Sequence, residues 1–152
     1  MKPHVTVIEN WPQPDTVSSA VVVATGSKLI VGYGTGEDEF AVVSFPMSTN
    51  LKVGGPNDEA LHGHPLYAFG LKHYSIHRIE NSPWLHELER QNSVHSRHVA
   101  QWFLKDKVHY IFALKEETVE CIVVEGEGSE VQVRVFESHQ SALEHIRGSL
   151  DA

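Results

Sequence analysis

Residues 108–124 read Val-His-Tyr-Ile-Phe-Ala-Leu-Lys-Glu-Glu-Thr-Val-Glu-Cys-Ile-Val-Val. Two mainly apolar runs, 108–114 and 118–124, flank the charged connection 115–117. Runs of this length that are rich in β-branched and aromatic residues favour strands, and a short connection between two strands is typical of an antiparallel hairpin. We therefore expect the fold to be built around an antiparallel sheet.

Further strands are predicted on both sides of this hairpin. The N-terminal third of the chain has three apolar runs separated by turn residues, a pattern typical of a β-meander. The predicted strands outside the hairpin cover residues 19–25, 28–33, 40–45, 73–80 and 131–135.

Three helices are predicted from capping residues and apolar spacing. Ser82 is a favourable N-cap and Pro83 suits the first helical position. A second helix is expected over residues 96–104, with Val99, Trp102 and Phe103 facing inward. Ser138 caps a third helix, whose inward positions are expected to be Ala142, Leu143, Ile146 and Leu150.

The order of these elements indicates an α+β fold. We expect six to eight strands in a mainly antiparallel curved sheet or a small barrel, with two mid-chain helices and a C-terminal helix. The pattern does not choose between the sheet and the barrel. No linker or repeat divides the chain, so residues 1–152 are expected to form one domain.

The composition of the chain argues against two classes of function, nucleic-acid binding and membrane association. The chain has 12 Lys and Arg against 20 Asp and Glu, a formal net charge of −8. This acidic balance argues against nucleic-acid binding. The sequence has no signal peptide and no run of roughly 18 apolar residues, so we expect a soluble cytoplasmic protein without membrane contact. One cysteine, Cys121, permits no internal disulfide.

The least regular stretch is residues 46–65, which we predict to be a long loop. Long loops in compact proteins are uncommon and often functional. The best cluster of ligand-binding candidates in this stretch is Asn57, Asp58, His62 and His64.

The pattern His62-Gly63-His64 suggests a divalent-metal site. If the segment is extended, residues i and i+2 share one face, and both imidazoles can reach one cation. Asp58 and Glu59 are candidate oxygen ligands, and imidazole suits Zn, Fe, Ni and Cu. A structural or surface role is the simpler interpretation of these histidines, because an isolated H-x-H pattern has low specificity.

A second histidine pair, His95 and His98, is spaced as neighbours on one helical face. Trp102 follows on the same side and is a candidate ligand contact at a pocket mouth. In the simpler interpretation, Trp102 belongs with Trp84, Phe103, Tyr110 and Phe112 to the core between the helices and the sheet.

Candidate catalytic groups are Asp58, Glu59, His95 and His98. A catalytic carboxylate at Asp58 or Glu59 requires burial that raises its pKa. Cys121 is interpreted as a buried core thiol, because a three-residue turn at 115–117 places it near residue 111 and leaves His109 diagonal to it. The glycine-rich residues 32–36 lack the Lys-Ser/Thr of a phosphate-binding loop and indicate a strand end and hairpin turn.

Two function classes follow from these observations. The first is a non-catalytic module that binds a small-molecule ligand or a partner, and we expect it to form a homo-oligomer. The second is a small enzyme, with a divalent metal as a candidate cofactor, whose site lies at the 54–65 loop and the helix of His95 and His98. The enzyme hypothesis requires that His62 and His64 face His95 or His98 across a cleft.

Overall fold

The computed structural model describes residues 2–151. Within this range the α-helices are α1 (Pro83–Asn92), α2 (Ala100–Leu104) and α3 (His139–Leu150), and 3₁₀ helices cover Asp58–Gly63 and Tyr67–Phe69. The strands are β1 (His4–Val7), β2 (Val21–Thr25), β3 (Lys28–Gly36), β4 (Glu39–Phe45), β5 (Ser48–Gly54), β6 (Ser75–Glu80), β7 (Lys107–Ala113), β8 (Thr118–Val124) and β9 (Gln132–Phe136).

The strands form two sheets. Sheet I has the order β1-β6-β7-β8-β5, and sheet II has the order β2-β3-β4-β9. Every pairing in both sheets is antiparallel, which confirms the α+β prediction. The prediction of one curved sheet or barrel is wrong, because the strands are divided between two open sheets. The described residues form nine strands, more than the six to eight predicted. The sequence pattern missed β1 and β5, because both are edge strands with few large apolar residues.

Both sheets are covered on both faces: they pack on each other through their inner faces, and a separate segment covers each outer face. Alternate residues of β3, β4, β7 and β8 form the core between the two sheets. The outer face of sheet II is covered by α3 through Ala142 and Ile146. The outer face of sheet I is covered by the segment carrying the 3₁₀ helices, through Leu61, Leu66 and Leu71. The central strands are therefore buried on both faces.

The predicted helices are present with changed limits. The Ser82 hydroxyl accepts a hydrogen bond from the Leu85 backbone N–H at 3.0 Å, which confirms the predicted cap of α1. Helix α2 begins at Ala100 and not at residue 96, and Trp102 is 71% exposed, so the expectation that Trp102 is part of the core is wrong. In α3, Leu143 and Leu150 are exposed, contrary to prediction. None of the helices in residues 2–151 is long and apolar enough to span a membrane.

The stretch predicted as a long loop contains regular structure. Residues 48–54 form β5, which pairs with β8. His62 lies in the last turn of the 3₁₀ helix Asp58–Gly63, and His64 is its C-cap. The expectation of an extended H-x-H segment is therefore wrong, and the strand alternation that would put both imidazoles on one face does not apply here.

The glycine-rich residues 32–36 end β3 and lead into its hairpin with β4, as predicted. Position 34 requires glycine, because the side chains of Ser18 and Asp15 lie close to the backbone there. A Cβ at this position would lie 2.2 Å from the Ser18 hydroxyl and 2.6 Å from an Asp15 carboxylate oxygen. The 15–18 segment therefore packs directly on the β3 backbone.

His77 is a structural histidine on the outer face of sheet I. Its Nε2 accepts a hydrogen bond from the Lys72 backbone N–H at 2.9 Å, and its Nδ1 donates to the Ile111 carbonyl at 3.1 Å. Burial lowers the pKa of His77 to about 4 despite the bond to Ile111. The neutral ring thus joins the segment before β6 to the centre of the sheet.

We expect the protein to lose stability as the pH falls from 6.5 to 4. In this window an unfolded His77 binds a proton and the folded one does not, so unfolding takes up a proton. The depressed pKa corresponds to about 3 kcal/mol of unfolding free energy lost by pH 4. Urea unfolding at pH 7.5, 6.5, 5.5 and 4.5 measures the loss, and an NMR titration of the ring assigns it. A His77 midpoint near 6.5 would contradict this account.

Candidate functional site

A cleft opens on the outer face of sheet I, between the 3₁₀ helix Asp58–Gly63 and helix α1. Its volume is about 650 Å³, in the range of small-molecule sites. Charged, aromatic and imidazole side chains line it together with the apolar residues Pro56, Ala60, Pro65, Leu66 and Pro83. The polar and aromatic lining consists of Lys52, His64, Trp84, Glu87, Arg90, His109 and Glu120.

The register of the β7–β8 hairpin brings two of these residues together. Leu114 N–H donates to the Glu117 carbonyl at 3.1 Å, so the loop has two residues and not three. Ile111 consequently pairs with Glu120, and His109 lies diagonal to Glu120 on the same face. The expected proximity of Cys121 to residue 111 is off by one position, because Cys121 pairs with Tyr110.

Four buried or largely buried side chains form a continuous hydrogen-bond network at the base of the cleft. We call Ser82, His109, Glu120 and His64 the four-residue network. The Ser82 hydroxyl lies 2.7 Å from His109 Nδ1, and His109 Nε2 lies 2.8 Å from Glu120 Oε1. His64 Nε2 lies 2.8 Å from Glu120 Oε2. The network therefore connects the start of α1, sheet I and the end of a 3₁₀ helix.

The geometry fixes which atoms donate. Leu66 N–H donates to His64 Nδ1 at 3.0 Å, so the hydrogen of His64 is on Nε2 and points to Glu120. A carboxylate accepts from His109 Nε2–H, so His109 Nδ1 accepts the Ser82 hydroxyl proton. In residues 2–151 no buried side-chain N or O atom lacks a hydrogen-bond partner.

Burial and hydrogen bonding set the charges of this network. Burial disfavours a charged Glu120, but the bonds from His109 and His64 outweigh it and lower the pKa of Glu120 to about 2. Burial also lowers the pKa of His109, although the bond to Glu120 opposes this shift. At neutral pH the base of the cleft holds an ionised Glu120 and a neutral His109.

Trp84 forms the aromatic wall. Its ring meets the His109 ring edge-on, with centroids 5.2 Å apart and an interplanar angle of 75°. The Lys52 ammonium lies over the Trp84 ring, 4.2 Å from its centroid. Lys52 comes from β5, directly opposite Glu120 in the register. The indole thus sits between an imidazole of the network and a cation.

Of the residues predicted in the 54–65 segment, His64 lines the cleft and the other candidates do not. Asn57 caps the 3₁₀ helix by accepting a bond from Ala60 N–H at 3.2 Å. Asp58 accepts the Tyr74 hydroxyl at 2.6 Å and lies 3.3 Å from Lys115, and the Tyr74 bond holds its pKa below its usual value. Glu59 and His62 are exposed.

The predicted second pair lies elsewhere. His98 donates to Glu89 at 2.7 Å through Nε2, and its Nδ1 accepts from Asn92 at 2.8 Å. His95 Nδ1 accepts from Arg97 N–H at 3.0 Å. Neither histidine, nor Trp102, lines the cleft that contains His64. The convergence required by the enzyme hypothesis is therefore not found among these residues.

A divalent metal was predicted at His62 and His64. His64 directs Nε2 at Glu120, while His62 stays exposed at the surface. Within the described range no group of three or more His, Cys, Asp or Glu side chains is arranged to hold a metal ion. The imidazoles that line the cleft, His64 and His109, are both bonded to the same carboxylate.

The residues that sequence reasoning missed are Lys52, Trp84, Arg90, His109 and Glu120 as site residues, and Ser82 beyond its capping role. One available signal was a polar side chain within an apolar strand. Glu120 interrupts the apolar run 118–124, and His109 interrupts 108–114. Cys121, by contrast, is confirmed as a buried core thiol, and burial raises its pKa.

Comparison with known proteins finds no family model, curated protein or solved structure that matches the chain.

Proposed function

We propose that the protein is a binding module for a small-molecule ligand, which it takes into the cleft between α1 and the 3₁₀ helix Asp58–Gly63. The observation that carries this proposal is the four-residue network at the base of the cleft. Buried polar groups contribute little net stability compared with apolar packing of the same volume. At the base of an open cavity such a network holds the surrounding elements in one arrangement, so the cleft is preformed for a ligand.

The composition of the cleft supports the same proposal. Apolar side chains line part of the cleft and provide contact area for a ligand. The network fixes His64, His109 and Glu120, and the Trp84 ring orients the Lys52 ammonium, while Glu87 and Arg90 are exposed at the cleft. A preformed site of this kind loses little conformational entropy on binding.

The experiment is a thermal-shift screen of a metabolite panel against the protein and a blocked variant. Gly63 lines the cleft, and an added Cβ there meets no atom within 4 Å, so Gly63→Phe adds bulk at the cleft without a clash at Cβ. A ligand at about 100 times its Kd stabilises the folded protein by roughly 2.7 kcal/mol. We expect such a ligand to raise the Tm of the unmodified protein and not that of Gly63→Phe.

Gly148→Phe is the matched control, because Gly148 is also open at Cβ and lies on α3, which covers sheet II. We expect this variant to respond to the ligand as the unmodified protein does. An equal response of Gly63→Phe would place binding outside the cleft and contradict the proposal.

The second candidate function is a small enzyme that uses acid–base chemistry. It is favoured by the pairing of imidazole and carboxylate at the cleft, since such pairs carry protons in many active sites. Ser82 cannot act as its nucleophile in this conformation, because it is 2% exposed and does not line the cleft. Turnover of ester or phosphoester substrates that disappears in Glu120→Gln would favour this candidate.

A further inference from the structure

We propose that the cleft recognises organic oxyanions, namely carboxylates or phosphate esters with an apolar body, and that Lys52 and Arg90 hold the anionic group. This inference rests on the proposed binding function and names the ligand class of the same site. It follows from which charged groups of the cleft are already partnered and which are available.

Lys52 and Arg90 are the available cations. They reach the cleft from two elements, Lys52 from β5 and Arg90 from the last turn of α1. Among residues 2–151 neither of them lies within 4.0 Å of a carboxylate. An oxyanion between them would receive a point charge from the ammonium and a planar pair of donors from the guanidinium.

The Lys52 ammonium is held in position without a carboxylate partner. Lys52 pairs with Glu120 across the strands, yet its ammonium rests on the Trp84 ring. A cation–π contact orients an ammonium but leaves the N–H groups that point away from the ring free for a further acceptor. Trp84 is therefore a positioning residue for the anion-binding cation.

The acidic groups of the cleft are less suited to recognise a cation. Each oxygen of Glu120 already accepts an N–H from an imidazole, one from His109 and one from His64. Glu87 lines the cleft one turn before Arg90 and is exposed. The negative charge of Glu87 repels a nearby oxyanion. Removal of this charge should therefore strengthen oxyanion binding, whereas removal of Lys52 or Arg90 should weaken it.

Four probes that share a phenyl ring test the head group alone: benzoate, phenyl phosphate, benzyl alcohol and benzylamine. Binding is followed by the indole N–H resonance of Trp84, assigned through its loss in Trp84→Phe. We expect benzoate and phenyl phosphate to bind at least about tenfold more tightly than benzyl alcohol, because only the two oxyanions form hydrogen bonds between opposite charges with Lys52 and Arg90.

The variants test the individual charges. Lys52→Met and Arg90→Met should each weaken the two oxyanions about tenfold and leave benzyl alcohol unchanged. Glu87→Gln should tighten the oxyanions. Lys72→Met and Arg97→Met remove exposed cations outside the cleft and should change nothing.

The outcomes separate this inference from the proposed function. Preferential binding of benzylamine, weakened by Glu87→Gln, would overturn the oxyanion inference and leave the binding function in place. Equal binding of all four probes, unaffected by Lys52→Met and Arg90→Met, would do the same. If no probe moves the Trp84 resonance at millimolar concentration, the oxyanion inference is overturned, and the metabolite screen with Gly63→Phe decides the binding function separately.

Discussion

Replacement of Glu120 by alanine is expected to lower the free energy of unfolding by about 3–5 kcal/mol. The substitution leaves the Nε2–H groups of His109 and His64 without their common acceptor. It also removes the hydrogen bond that joins the 3₁₀ helix end at His64 to sheet I, while the packing of Leu61 and Leu66 remains there. Urea unfolding at pH 7 measures the change.

Two further variants show whether the carboxylate itself is responsible. Glu120→Gln keeps the volume and one acceptor oxygen, so its loss should be smaller, about 1–3 kcal/mol. Glu116→Ala removes an exposed acid from the same hairpin and should stay within about 0.5 kcal/mol of the unmodified protein. A Glu120→Ala protein as stable as Glu116→Ala would mean that the network contributes nothing to folding.

The contribution of Glu120 to the free energy of unfolding should decrease as the pH falls. The pKa of Glu120 is about 2 in the folded protein, below the ordinary value of 4.5. Its contribution is therefore fully present above pH 4.5 and is lost as the pH falls from 4.5 towards 2. The difference in stability between the unmodified protein and Glu120→Gln should shrink over that interval.

Replacement of Phe112 by alanine is the second change with a large expected effect, about 3–5 kcal/mol. Phe112 is fully buried between the two sheets. Its ring packs edge-on against Phe45 at 6.3 Å between centroids and lies 6.0 Å from the Tyr33 ring. The resulting cavity cannot be filled by either sheet without moving the other, and equilibrium urea unfolding measures the loss.

Trp102→Ala is the control, because it removes a larger aromatic side chain from α2. Trp102 is 71% exposed, and the change should stay within about 0.5 kcal/mol. The sequence-based prediction that Trp102 belongs with Phe112 to the core implies a large loss instead. Similar losses for both variants would contradict the packing of the two sheets and of α2.

Local sequence patterns determined the secondary structure where the signal is strong. The runs around β7 and β8, the caps Ser82 and Ser138, and the apolar spacing of α3 all describe interactions between residues close in the chain. Such interactions depend on the cap residue and on the period of the apolar positions, and both can be read from the sequence. Edge strands such as β1 were missed because their apolar signal is short.

The candidate site was predicted only in part. The sequence predicts His64 as a ligand-binding residue, and His64 lines the cleft. The other members of the four-residue network come from positions 82, 109 and 120, far apart in the sequence. The histidines that the sequence predicts beside His64 are His62, His95 and His98, chosen because of their spacing in the pairs 62/64 and 95/98. All three lie outside the cleft. Spacing along the chain carries no information on which face of a distant strand a residue will occupy.

The sequence by itself determined the α+β class, the antiparallel hairpin and two of the helix starts. The tertiary structure decided the division into two sheets and the register of β7 and β8. A loop of two residues instead of three moves the pairing by one position, and one position decides which side chains meet on a face. That register places Glu120 within reach of His109, while the packing of the 3₁₀ helix brings His64 to the same carboxylate.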